Sequence, residues 1–186
     1  MQLLLDSDPA RLSEDDLLRF LATMPPSERL RIESERLLSR RREKALAYKL
    51  LWDFLQEPPL LGYSPTGSPL LLSHPHLHIS ISHCRTAVAV ALHDSPVGVD
   101  VESVRRCNDA LLLRCFSPEE QTLINASPHR DSEFTRLWTR KEAYLKRLGT
   151  GITGMDNLQQ VPPPGSNIET QPLPDGLGWV SVCVSK

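Results

Sequence analysis

The stretch "PVGVDVE" (residues 96–102) decides how this chain is read. Valines at 97, 99 and 101 alternate with Gly98, Asp100 and Glu102, the period of a strand with one buried face. Acidic residues are poor strand formers. Two carboxylates two positions apart on a strand point the same way and repel each other. A hard divalent cation relieves that repulsion, and Mg²⁺ takes one or two protein carboxylates together with phosphate oxygens and water. On its own the pair also fits a solvated strand edge, so its meaning depends on what faces it. Gly98, on the same face, is expected to leave room for a ligand.

Immediately upstream, residues 77–82 and 87–93 have the same strand character. The tight connection Asp94-Ser95-Pro96 makes a hairpin of the second and third strands. Further upstream the period is helical. Ser13 caps a helix through Met24, with Glu14, Asp15 and Asp16 in its first turn. Pro25 and Pro26 break it. Residues 27–56 are helical again, as one helix or two, with Leu37, Leu38, Ala45, Tyr48, Leu51, Trp52 and Leu55 near the 3.6 period. Pro58 and Pro59 stop this run, and "GYSPTGSP" (62–69) is read as a loop.

Downstream, "NDALLLRCF" (108–116) is a short helix. Ser117, Pro118 and Glu120 form the start signal of another. Residues 131–148 form an amphipathic helix ended by Gly149, and "GWVSVCV" (178–184) is a last strand. Helices followed by strands occur twice. The pattern predicts an α+β protein with two comparable halves, 1–95 and 96–186.

Composition narrows the class. The chain has 186 residues, 40% hydrophobic and 24% charged, with a formal net charge of −2. That charge exerts no global pull toward nucleic acid or membrane. No apolar run approaches the roughly 18 residues needed to span a bilayer. "MQLLLDSDPARL" lacks the basic leader of a signal peptide. Cys84, Cys107, Cys115 and Cys183 form no CxxC pair, so neither a disulfide framework nor a zinc knuckle is expected, and a reducing, cytoplasmic compartment is.

Five further stretches bear on chemistry. In "LWTRKEAYLKRLG" (137–149), Trp138, Glu142 and Lys146 share a helix face, in the favourable order for a Glu142–Lys146 pair. If that face meets Asp100 and Glu102, three carboxylates and two lysines, Lys141 and Lys146, come together, which suits phosphoryl-type transfer. In "HISISHC" (78–84), Ser80 and Ser82 share a strand face and His83 follows, a hydroxyl and an imidazole able to hold a phosphate. They are not a hydrolase pair, since adjacent strand residues point apart and no nucleophile elbow is present. "HPHLH" (74–78) is read as a loop and strand start rather than a zinc site. "SRRREKALAYK" (39–49) is a basic helix face with little aromatic interleaving, so nucleic acid is a poor partner for it. "GTGITG" (149–154) lacks the Lys-Ser/Thr and the preceding strand of a P-loop.

Taken in order, "ISISHC" (79–84), "VGVDVE" (97–102), "FSPEE" (116–120) and "WTRKEAYLKRLGTG" (138–151) resemble the 4′-phosphopantetheinyl transferase superfamily, over about residues 41–151. "RREKALAYKLL" and "GSP" (67–69) resemble its basic helix and its Gly-Lys-Pro segment. Length and paired halves resemble its monomeric, Sfp-like branch. There two similar α+β halves, related by a pseudo-twofold, hold coenzyme A in the cleft between them.

The resemblance implies Mg²⁺-dependent transfer of the phosphopantetheine arm of coenzyme A to a serine of an apo acyl or peptidyl carrier protein, releasing 3′,5′-ADP. It implies Asp100, Glu102 and Glu142 as metal ligands, with Glu142 also a candidate base, and Lys146 and Lys141 near the pyrophosphate. It implies Ser82 and His83 on a coenzyme A phosphate, and Arg41, Arg42 and Lys49 in the helix that reaches the 3′-phosphate. Arg105, Arg106 and Arg114 would then offer a basic face to an acidic carrier. Two departures stand out: Ser68 occupies the place of the usual lysine, and Cys84 that of a common serine. The competing readings are a Mg²⁺-dependent pyrophosphate hydrolase and a non-catalytic module docking an acidic partner through the basic helix.

Overall fold

The computed structural model describes residues 1–150 and 158–185. The last part of the glycine stretch 149–154 therefore lies outside the described residues.

The chain is α+β. Strand β1 (Gln2–Asp6) leads into α1 (Glu14–Thr23), α2 (Pro26–Glu33) and α3 (Leu38–Leu55). Ser13 caps α1 through the Asp16 amide, as its sequence signal requires. The 27–56 run divides into two helices. Strands β2 (Leu61–Tyr63) and β3 (Pro69–Leu71) form a small hairpin where a loop was expected. Gly67 turns it with φ +84, a left-handed conformation that favours glycine.

Strands β4 (His78–Cys84) and β5 (Ala87–His93) pair antiparallel, and β1 adds on the other side of β5, giving the order β1-β5-β4. Strand β6 (Val97–Ser103) does not join this sheet although a short turn follows β5. It pairs with β8 (Gly178–Val184), which pairs with β7 (Ile168–Pro172), in the order β6-β8-β7. The expected β5–β6 hairpin is therefore a crossing from one sheet to the other. Between β6 and β7 lie α4 (Asp109–Cys115), α5 (Pro118–Ala126) and α6 (Arg130–Leu148). Helix α5 starts on a full Ser117–Glu120 capping box, and α6 ends on Gly149 at φ +71.

Alternation along the strands explains the layering. Val88, Val90, Leu92 and Ile79 pack with Ala45, Tyr48 and Leu51 of α3. The opposite face of β5 presents Ala87, Ala89 and Ala91 to Val97, Val99 and Val101 of β6 and Val180 and Val182 of β8. The alanines are small, so the two sheets approach closely. On its outer face the second sheet is covered by α6. Gly98 faces this helix: a Cβ there would lie 2.0 Å from the Ala143 carbonyl oxygen and 2.3 Å from the Arg147 amide nitrogen. Gly98 therefore makes room for the helix backbone, not for a ligand. Because α6 rests on that face, its next residues stand over Asp100 and Glu102. Among the described residues no helix is long and apolar enough to cross a membrane.

Candidate active site

Strands β4 and β6 each end their sheet and run beside each other without a backbone ladder. The join is made by side chains. The Ser80 hydroxyl accepts the Val99 amide at 3.0 Å, and the Ser82 hydroxyl accepts the Val101 amide at 3.3 Å. Both serines are buried. Further along, Ser103 hydrogen-bonds Thr86 at 2.8 Å. The "SIS" pattern thus closes the seam between the sheets.

The carboxylates sit along this seam. Asp100 is 4% exposed. Its Oδ1 accepts from the Ser82 hydroxyl at 2.9 Å and from the Lys146 ammonium at 2.7 Å. Its Oδ2 is buried with no partner among the described residues. Lys146 also donates to the Ser82 oxygen at 2.9 Å. The Ser82 hydroxyl, with one proton and two lone pairs, is then fully used inside the protein.

Glu142 and Glu102 complete the acidic group. Burial pushes the Glu142 carboxyl up to about 7, and the Asp100 charge adds to this against the pull of Lys146. Burial raises Glu102 too, again with Asp100 adding. These shifts record carboxylates forced into one another's field. Among the described residues, however, no three His, Cys, Asp or Glu side chains converge closely enough to hold a metal ion.

His83 points the other way from Ser82, toward α3. Its Nδ1 lies 3.0 Å from Glu43 Oε2 and 2.9 Å from an Arg40 guanidinium nitrogen. Burial pushes its imidazole pKa down, against the raising effect of Glu43. Arg40 is thus the residue of the basic helix that meets His83. The sequence assigns Arg41, Arg42 and Lys49 of this helix to the 3′-phosphate and gives no partner for His83. The available signal was Glu43, an acid in the middle of a basic run, one helical turn from Arg40.

Arg41 donates from Nε to the Glu35 carbonyl at 2.7 Å. Arg42 has a buried Nε with no partner among the described residues. Lys49 pairs with Asp53 at 2.6 Å on an exposed stretch of α3.

Lys141 does not join the cluster. It is 2% exposed, pairs with Glu120 at 2.8 Å, and donates to the Leu158 and Val161 carbonyls. Helical geometry explains the divergence: residues 141 and 142 point about 100° apart, so only one of them can face β6. Lys141 ties α5 and the 158–161 segment to α6 instead. The Arg105 guanidinium lies over Trp138, its Cζ 4.8 Å from the ring centroid, and near Phe134. It is packed against α6 rather than displayed, whereas Arg106 and Arg114 are exposed.

A cleft of about 320 Å³ opens beside the cluster, lined by Gly67, Ser68 and Pro69, by Ser80 and Ile81 of β4, and by Lys146 and Gly149 at the end of α6. Ser68 therefore does face the same space as Lys146. A more apolar hollow of about 420 Å³ adjoins it past Ser68 and Pro69.

The chain is thus an α+β protein with an acid–lysine cluster at the seam of its two sheets. A model of the 4′-phosphopantetheinyl transferase superfamily matches residues 96–183. The chain is 30% identical over 173 residues to a putative 4′-phosphopantetheinyl transferase of Synechocystis sp., covering 89% of this chain and 68% of that protein. It is 28% identical over 176 residues to the 4′-phosphopantetheinyl transferase HetI of Nostoc sp., covering 89% and 71%. To 4′-phosphopantetheinyl transferase psf-1 of Bacillus pumilus it is 36% identical over 89 residues, 47% of this chain but 38% of the relative. In the Bacillus subtilis relative matched at 30% identity, 42% of the length is spanned. This chain belongs to the 4′-phosphopantetheinyl transferase superfamily.

Proposed function

We propose that this protein transfers the phosphopantetheine arm of coenzyme A to a serine of an apo acyl or peptidyl carrier protein, with Mg²⁺ as the metal. The observation that carries the reading is the meeting of the Glu142–Lys146 face of α6 with Asp100 and Glu102 of β6. Asp100, Glu102 and Glu142 are the residues that would hold the ion, and their side chains, which do not converge in this structure, would have to close on it. The fit rests on the buried, unpartnered Oδ2 of Asp100 and on all-oxygen donors, which suit a hard cation. A bound Mg²⁺ would neutralise charge on the pyrophosphate.

The remaining chemistry falls to side chains. Lys146, at the cleft wall, meets the pyrophosphate and stabilises the departing charge. His83 and Arg40, joined at 2.9 Å, offer a phosphate-binding pair on the α3 side. The carrier serine oxygen bonds to the β-phosphorus, and the bond from that phosphorus to the 3′,5′-ADP oxygen breaks. The serine proton goes to Glu142 or to a water that it polarises, and a carboxylate that also holds the ion is the weaker base of the two.

The N-terminal half (1–95) then supplies the coenzyme A contacts and the C-terminal half (96–186) the acid cluster, so one chain is sufficient as a monomer. The exposed Arg106 and Arg114 suit an acidic carrier. Four free thiols suit the cytoplasm.

The test is incubation with coenzyme A, Mg²⁺ and a panel of apo carrier proteins, read by mass. The expected result is a phosphopantetheine mass gain on at least one carrier, abolished by Asp100→Ala. Breakdown of coenzyme A without a carrier adduct would overturn the transferase reading. Full transfer by Asp100→Ala would overturn the metal assignment.

A further inference from the structure

We propose that Lys146 and the divalent cation compete for Asp100, and that the pyrophosphate ends the competition by drawing the lysine into the cleft. The inference rests on the reading of the site given above. Three observations carry it. The Lys146 ammonium sits 2.7 Å from Asp100 Oδ1, in direct contact with a carboxylate assigned to the metal. Its berth is built in advance: Ser82, which accepts the lysine's second hydrogen bond, is itself held by the Val101 amide and donates to the same Asp100 oxygen. And Lys146 has somewhere else to go. Its side chain is 31% exposed and lines the cleft of about 320 Å³ beside the seam.

An ammonium and a divalent cation on one buried carboxylate repel strongly, since little water lies between them to screen the charges. Metal arriving alone must displace the lysine or share the carboxylate with it. A pyrophosphate in the cleft offers the ammonium a better-charged partner and frees Asp100. Metal and coenzyme A therefore favour each other's binding, and by linkage each raises the other's affinity by the same factor. Lys146 thereby makes the site load its two charged components together.

The experiment measures binding of Mn²⁺, as a spectroscopic probe for the metal, to the whole protein by electron paramagnetic resonance, with and without coenzyme A. Metal held by coenzyme A alone is subtracted. In the native protein, coenzyme A is expected to tighten Mn²⁺ binding about tenfold, and Mn²⁺ to tighten coenzyme A binding by the same factor. Lys146→Met is expected to bind Mn²⁺ about tenfold more tightly in the absence of coenzyme A, with a smaller further gain than in the native protein when it is added, the direct attraction between metal and pyrophosphate being all that remains. Lys146→Gln, which removes the charge but keeps a hydrogen-bonding end, should match Lys146→Met. Lys146→Arg, which keeps the charge, should match the native protein.

Unchanged or weaker Mn²⁺ binding in folded Lys146→Met and Lys146→Gln overturns the competition alone. Absence of Mn²⁺ binding in every variant overturns the metal assignment beneath it.

Discussion

A half-buried acid that carries its charge at a cost makes stability depend on pH, and Glu142 is such an acid. Its carboxyl titrates at about 7 in the folded protein against an ordinary value of 4.5, chiefly because of burial. Between those values the folded state holds a proton that the unfolded state has released, so stability falls as pH rises through the window. Above about 7 the full cost of the buried charge is present. Below the unfolded value both states are protonated and the cost vanishes. Glu142→Gln is therefore expected to melt higher than the native protein at pH 8 in chelator, with the gap closing toward pH 4.5. Melting curves across that range check this, and a gap independent of pH would refute the charged-carboxylate origin. The motif pointed to Glu142, but no sequence pattern reports how dry its surroundings are. Lys141, its neighbour, illustrates the same limit. The "KEA" run places an ammonium and a carboxylate side by side in sequence, yet the helix turns one toward β6 and the other toward Glu120.

At the scale of elements, the docking of α6 on β6 positions the acid cluster, and Gly98 permits it. Gly98→Ala would press a methyl carbon onto two backbone atoms of the helix, neither of which can rotate away. The expected cost is about 3 kcal/mol, measurable as a lowered urea midpoint. Because the helix must lift, the variant should also lose the proposed carrier modification more steeply than it loses secondary structure. A midpoint within error of the native value would show that the helix does not rest there. The caps that start and end the helices were legible, since Ser13, Ser117 with Glu120, and Gly149 act through local chemistry. Strands β1, β2, β3 and β7 were not. They are short: the partner of β1 is remote in the chain, β2 and β3 are hidden behind turn residues, and β7 is the weak arm of a hairpin with β8. β1 and β7 are edge strands, and β7, "IETQP", carries almost no apolar signal. The β5–β6 connection misled for a related reason. Its tight turn is compatible with a hairpin, and only the preference of β6 for β8 takes it into the other sheet.

For the whole molecule, the decisive feature is the join between sheets. Strand period makes Ser80 and Ser82 neighbours on one face, while the phosphate was expected at Ser82 and His83. The structure uses the two serines to satisfy the Val99 and Val101 amides of a strand belonging to the other sheet. Nothing local announces this, because the partner amides appear only once both sheets have formed. Ser80→Ala would leave the Val99 amide buried without an acceptor, at a cost of about 1–3 kcal/mol. Ser80→Thr, which keeps the hydroxyl, should recover most of it. Denaturation midpoints decide the matter, and an alanine variant as stable as the native protein would sink the assignment. The seam has one more effect. A strand that terminates a sheet is an open invitation to other chains, because its unpaired amides will accept any extended segment that approaches. Here the two terminal strands β4 and β6 face each other, and the hydroxyls cap the inward amides of β6 while each strand shields its neighbour. The protein thus keeps two sticky borders out of circulation without spending a helix or a lysine fence on either, and damage to the seam would tend to surface as self-association before it surfaced as lost chemistry.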